Sequence, residues 1–183
     1  MKFTFLKNII LIATIGYYFF SCSSDLDFDQ VNDFNTQPVA TTNLAYIKND
    51  ASDFVSNGTE TPFFSYTSNV EFLNTSFVES DLVKTELYFR IKNTIKRAYI
   101  FNIILLDEND LPIHTITMNV PEYNGTEVVV EKTETFTTAN VDILKSTTKM
   151  IFSVLMLPGT PISEDTLGRV ELSSSITAYF DIK

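Results

Sequence analysis

The 183-residue chain has no tryptophan, one cysteine, one histidine, 5 glycines and 6 prolines. Each scarcity closes off a class. One cysteine cannot build a disulfide framework or a Cys-rich metal site. One histidine cannot supply multi-His zinc chemistry and leaves most catalytic triads without a base. So few glycines and prolines exclude collagen-like and linker-dominated chains. Basic residues are also in short supply, 13 Lys and Arg against 23 Asp and Glu, a net charge of −10. Nucleic-acid binding needs a basic footprint, so no nucleic-acid partner is expected. What remains is the composition of a packed globule, 44% hydrophobic and 20% charged, at a length that suits one domain.

Residues 1–22 read MKFTFLKNIILIATIGYYFFSC. Lys2 and Lys7 give a positive start, and Ile9 to Phe20 form an apolar run broken only by Thr14 and Gly16. About a dozen apolar residues fall short of the ~20 needed to cross a bilayer. The segment therefore has the anatomy of a secretory signal peptide and is set apart from the fold. Cys22 follows it directly, and no second thiol is present for a disulfide. Residues 23–38, SSDLDFDQVNDFNTQP, carry Asp25, Asp27, Asp29 and Asp33 and end on Pro38. Charge and turn-forming residues predict a solvated spacer that reaches about 50 Å when extended.

The position of Cys22, with the small Ser21 before it, resembles the cleavage site of bacterial lipoproteins. Phe19 and Phe20 depart from the usual pattern. Looser sites are common in Bacteroidetes lipoproteins, which the chain resembles in its Asn, Ile, Lys and Phe usage. The resemblance implies that residues 1–21 are removed and that Cys22 is acylated. The membrane is then a partner through a lipid anchor, and the location is the outer membrane, with its cell-surface side favoured over the periplasmic one. Each buried methylene of an acyl chain contributes ~0.8 kcal/mol, so several chains hold firmly. Cleavage after Ser23 as an ordinary secretory signal is the alternative. Asp25, Asp27 and Asp29 resemble the acidic export tag that sends such lipoproteins to the outer leaflet. A spacer kept clear of anionic headgroups is the alternative there.

From residue 39 to 183 the dominant period is two. Val83, Leu87, Phe89 and Ile91 alternate with Lys84, Glu86, Tyr88, Arg90 and Lys92, with Thr85 interrupting the apolar side. Val170, Leu172, Ile176, Ala178, Phe180 and Ile182 share one side of the last segment, with Ser174 among them. This is the pattern of half-buried strands with a strongly specified register. Tyr99 to Leu106 (YIFNIILL) and Met150 to Leu157 (MIFSVLML) are apolar on both sides and predict strands covered on both faces. Ile113 to Val120, Thr126 to Lys132, Thr41 to Lys48 and Thr67 to Leu73 are further strand candidates. Asp107 to Asp110 and Asn124-Gly125 read as turns, the Asn-Gly pair as the better hairpin signal. Short helical turns are expected at Ser76 to Leu82 and Thr138 to Lys145. The expected fold is all-β, an antiparallel sandwich of immunoglobulin-like architecture with seven or eight strands in one domain.

Chemistry-bearing residues are sparse. His114 needs a nucleophile and an orienting carboxylate beside it to act as a base, and reads as a half-exposed strand histidine. Asp107, Glu108, Asn109 and Asp110 form an oxygen-rich loop that could contribute to a calcium site, but they lack the EF-hand pattern and read as a solvated turn. Carboxylate pairs suited to glycoside hydrolysis occur by chance among 23 acidic residues. Thr166 in Asp165-Thr166-Leu167 resembles a short O-glycosylation acceptor, with a turn as the alternative. No enzyme activity, metal or cofactor is expected. The aromatic load, 16 Phe and 8 Tyr, is high and much of it must fill the core; Phe63, Phe64 and Tyr66 are the candidates for a surface patch, with core filling or strand packing as the alternative for each. The expectation is a non-enzymatic outer-membrane lipoprotein, a binding or accessory subunit of a membrane-protein complex with a protein partner there. A surface glycan-binding module is the alternative.

Overall fold

The structure, a computed structural model, describes residues 36–182. The signal segment, Cys22, Asp25, Asp27 and Asp29 lie outside the described residues. In chain order the elements are β1 (Val39–Asp50), β2 (Val55–Ser56), β3 (Thr59–Glu60), β4 (Phe63–Asn69), α1 (Ser76–Asp81), β5 (Leu82–Asn93), β6 (Tyr99–Leu106), β7 (Pro112–Val120), β8 (Val128–Phe136), α2 (Asp142–Lys145), β9 (Lys149–Met156) and β10 (Arg169–Phe180). Two four-stranded sheets, ordered β1-β10-β5-β8 and β4-β9-β6-β7, are antiparallel throughout. The fold is the expected all-β antiparallel sandwich. Eight long strands build it, and the two-residue β2–β3 ribbon raises the number to ten.

The core follows from the period of two. Leu87, Phe89, Ile91, Leu172 and Ile176 of the first sheet meet Phe101, Ile103, Leu105, Phe152 and Val154 of the second, all buried in one cluster. Each such side chain contributes ~1.5–3 kcal/mol when fully buried. Ser174, the polar interruption in β10, has a local purpose. A bulge in β1 between Asn43 and Ala45 leaves the Ala45 backbone groups to a side chain. The Ser174 hydroxyl accepts from Ala45 N at 3.0 Å and donates to Ala45 O at 3.2 Å.

Three local expectations change. Asn124-Gly125 does not close a hairpin, because the strands on either side, β7 and β8, lie in different sheets. The connection crosses the sandwich instead, held where Asn93 Nδ2 donates to Pro121 O and Tyr123 N donates to Ile95 O. The Asn-Gly pair that does form a two-residue hairpin is Asn57-Gly58 between β2 and β3, with φ of 51° and 69°. The strand expected at Thr67 to Leu73 begins earlier, at Phe63, and a 3-10 turn (Glu71–Asn74) replaces its end. The ladder also runs past Val39, since Thr36 and Ile182 exchange backbone hydrogen bonds.

The two long sides of the sandwich are closed differently. Along β7 and β8, His114 Nε2 lies 3.1 Å from Glu134 Oε1, joining the sheets edge to edge. Along β1 and β4 the closing contact is Asn49 Nδ2 donating to the Tyr66 hydroxyl at 2.8 Å. At one end the buried Arg97 guanidinium holds three segments. It pairs with Glu60 at 2.7 Å and donates to Leu157 O and Thr160 O.

Candidate functional site

The outward side of β4-β9-β6-β7 is the distinctive surface. Direct antiparallel partners point to the same side of a sheet, so the register defines rows that run across the strands. Phe63, Leu155 and Ile100 form one row, which ends on Asn119. Ser65, Ser153, Asn102 and Thr117 form the next. Thr67, Ile151, Ile104 and Thr115 form the third. No side chain in these three rows carries a charge, while the fourth row, Asn69, Lys149 and Leu106, carries Lys149 in an ion pair with Asp110. Phe63 is 53% exposed and Leu155 38%. In the middle row Thr117 Oγ1 donates to Asn102 Oδ1 at 2.8 Å, which leaves the amide's Nδ2 as the row's nitrogen donor.

The outward side of the other sheet is the reverse. Lys84–Glu86 at 2.7 Å, Arg90–Glu131 at 3.2 Å and Arg169–Glu171 at 2.6 Å lie across it as ion pairs. Hydrogen bonds from Lys84 and Tyr179 hold the Glu86 carboxyl below its usual range, and the same contact with Glu86 raises Lys84. At the stapled end, the Ile162 N–H bond, with Arg97 beside it, holds Glu60 low. Burial pushes the Tyr99 hydroxyl up, and that hydroxyl has no hydrogen-bond partner among the described residues.

The candidate aromatics divide. Phe63 faces out from the uncharged surface. Phe64 points to the opposite side of the strand and packs edge-on against Phe54, centroids 5.0 Å apart. Tyr66 shares that side and is 39% exposed at the rim beside Asn49. His114 is committed to Glu134 and packs against the Phe136 ring. Asp107 Oδ1 accepts from Asn109 N and Leu111 N, and Asp110 pairs with Lys149 at 2.6 Å, so that loop is an internally bonded turn. Among the described residues no group of three or more His, Cys, Asp or Glu is placed to hold a metal. Thr166 Oγ1 accepts from Ser163 N inside a turn. An apolar cleft of about 150 Å³ lies under α1, between Leu73, Val78, Ile176 and Phe180, with Phe77 stacked on Phe180. A larger polar groove of about 560 Å³ separates α1 from α2, and Lys145 Nζ donates across it to Glu79 O.

Reading the residues one by one singled out Phe63 but missed the surface around it. The signal was present in YIFNIILL and MIFSVLML, whose outward positions are apolar. Such runs predict covered faces. β6 and β9 are central strands as expected, yet among the described residues no layer covers their outward side, where Ile100, Ile104 and Ile151 remain partly exposed.

No protein-family model and no curated protein matches the chain. Among solved structures, it is similar to the VP2 subviral particle of infectious bursal disease virus, with a TM-score of 0.41 and 10% identity over 80% of this chain and 38% of that one. A Parabacteroides distasonis protein provisionally classed as secreted gives 0.41 and 12% over 63% of this chain and 38% of that one. The enzymatically active domain of tailspike protein 4 from bacteriophage CBA120 gives 0.34 and 13% over 80% and 19%. The chain spans less than two fifths of each of these proteins. Likeness at these scores carries no functional information.

Proposed function

We propose that the chain is a non-enzymatic outer-membrane lipoprotein whose domain is the binding subunit of a membrane-protein complex at the cell envelope. Cys22 carries the lipid anchor, and the acidic segment that follows it is the tether. Asp25, Asp27 and Asp29 direct it to the outer leaflet. The observation that supports a binding role is the outward side of β4-β9-β6-β7, which no layer among the described residues covers and whose three adjoining rows carry no charge, on an otherwise acidic protein. Apolar side chains at the outward positions of central strands are usually selected for contact with something. A glycan-binding role is the second reading. It is favoured by Phe63 standing beside a row of hydroxyl and amide groups.

Affinity purification of the tagged full chain from detergent-solubilised envelopes tests complex membership. A stoichiometric membrane protein should co-purify, and recovery of the chain alone overturns membership. Mass spectrometry of the native N-terminus tests the anchor, with an acylated Cys22 expected. An unmodified N-terminal peptide removes the anchor from the proposal. Replacing Asp25, Asp27 and Asp29 with Ala should abolish protease accessibility on whole cells, and unchanged accessibility refutes the export-tag role.

A further inference from the structure

We infer that the three uncharged rows on the outward side of β4-β9-β6-β7 take a neutral polysaccharide chain lying across the strands. The inference rests on the proposed binding role of that face and names its ligand class. Size argues first. Four strands at ~4.8 Å spacing and five residues at ~3.4 Å rise give a flat field on the order of 300 Å². A standing protein interface needs about 800 Å² from each partner, so this field suits the ligand that the subunit binds rather than its contact with the complex. A single extended chain needs only a strip.

Chemistry argues next. In the middle row Ser65, Asn102 and Thr117 offer hydroxyl and amide groups, while the buried Ser153 hydroxyl donates to Asn102 O. Pressed against lipid they would lose water without gaining partners. A sugar supplies such partners along its hydroxyl edge. Its ring faces, rich in C–H, suit the flanking apolar side chains Phe63 and Leu155, both exposed. A β-linked chain repeats every ~5 Å, close to the ~4.8 Å between strands, so a chain along the rows meets one strand per sugar. Charge selects the neutral class. The three rows carry no cation to pair with an acidic glycan, Lys149 of the fourth row is already paired with Asp110, and the net charge of −10 repels one.

The test is affinity electrophoresis of the detergent-solubilised full chain through gels holding dextran, mannan, xyloglucan or mixed-linkage β-glucan, with alginate as the anionic control. At least one neutral polymer should retard the protein. Solution binding to that polymer should be unchanged between 50 mM and 500 mM salt. Phe63→Ala and Ser65→Arg should weaken it at least tenfold while circular dichroism stays native. Thr133→Arg, on the opposite face, should leave it unchanged. No retardation by any neutral polymer overturns the inference. Equal retardation by the Phe63 and Ser65 variants overturns the site. Co-purification of a membrane partner is read separately and speaks only to complex membership.

Discussion

The two outward faces of this sandwich are built by four strands each and share one core, yet they meet water on different terms. On β1-β10-β5-β8, charged residues alternate with the buried set and are tied in pairs such as Arg90–Glu131 and Lys84–Glu86. Exposed pairs of this kind contribute at most about 1 kcal/mol each, so their main effect is to keep the face solvated and unattractive to other chains. On β4-β9-β6-β7 that protection is confined to one end, where Lys149 pairs with Asp110. Phe63, Leu155 and Ile100 stand where the other sheet places Lys and Glu. The core sets stability for both faces, and the outward residues set what each face will accept.

The largest perturbation erases the comparison. Phe89 is fully buried beneath both sheets, so Phe89→Ala should cost about 3–5 kcal/mol and shift the urea midpoint of the whole domain in one transition. Next, Ser65→Arg gives the uncharged face the character of the charged one. It should abolish ligand binding at least tenfold and move stability by no more than about 0.5 kcal/mol, as exposed substitutions do, checked by titration and thermal melting. Breaking the Arg90–Glu131 pair with Arg90→Ala should cost ~0.2–1 kcal/mol, less at high salt, and leave ligand binding as it was.

The smallest effect is a pH dependence confined to the ion-paired carboxylates. Glu86 and Glu60 are held below their ordinary value of 4.5 in the folded protein. A depressed carboxylate binds its proton more readily when unfolded, so its stabilisation is complete above the unfolded value and is lost as pH falls through the folded one. Stability should therefore fall below about pH 4.5, and Glu86→Gln should reduce the fall, measured as urea midpoints at pH 7 and pH 3.5. Lys84 acts in the opposite sense, raised above 10.5, and its contribution is lost only as alkaline pH passes the folded value. Ligand binding on the uncharged face should stay flat across the acid range in which the fold holds.

Much of the fold was legible because a strand with one wet side must alternate. Leu87, Phe89 and Ile91 against Tyr88 and Arg90 allow one register and one inward side. Sheet membership was less legible. Asn124-Gly125 has the chemistry of a hairpin, but the strands beside it bury their apolar sides in opposite sheets, and that requirement outweighs the local turn preference. The aromatic candidates were separated for a similar reason. Phe63 and Phe64 are neighbours in sequence, and a strand sends neighbours to opposite sides, one toward solvent and one against Phe54.

The chain's own residues, taken in order, determined the class of the fold, the inward set and the scarcity of catalytic groups. These depend on composition and on a period of two, and both are local. Only the tertiary structure decided which sheet each strand joins, that His114 meets Glu134, that Ser174 fills the bulge in β1, and that no layer among the described residues covers the outward side of β6 and β9. An apolar side chain in a sequence records that it avoids water. Whether the domain itself or a partner provides the cover is set by how many layers the chain can stack.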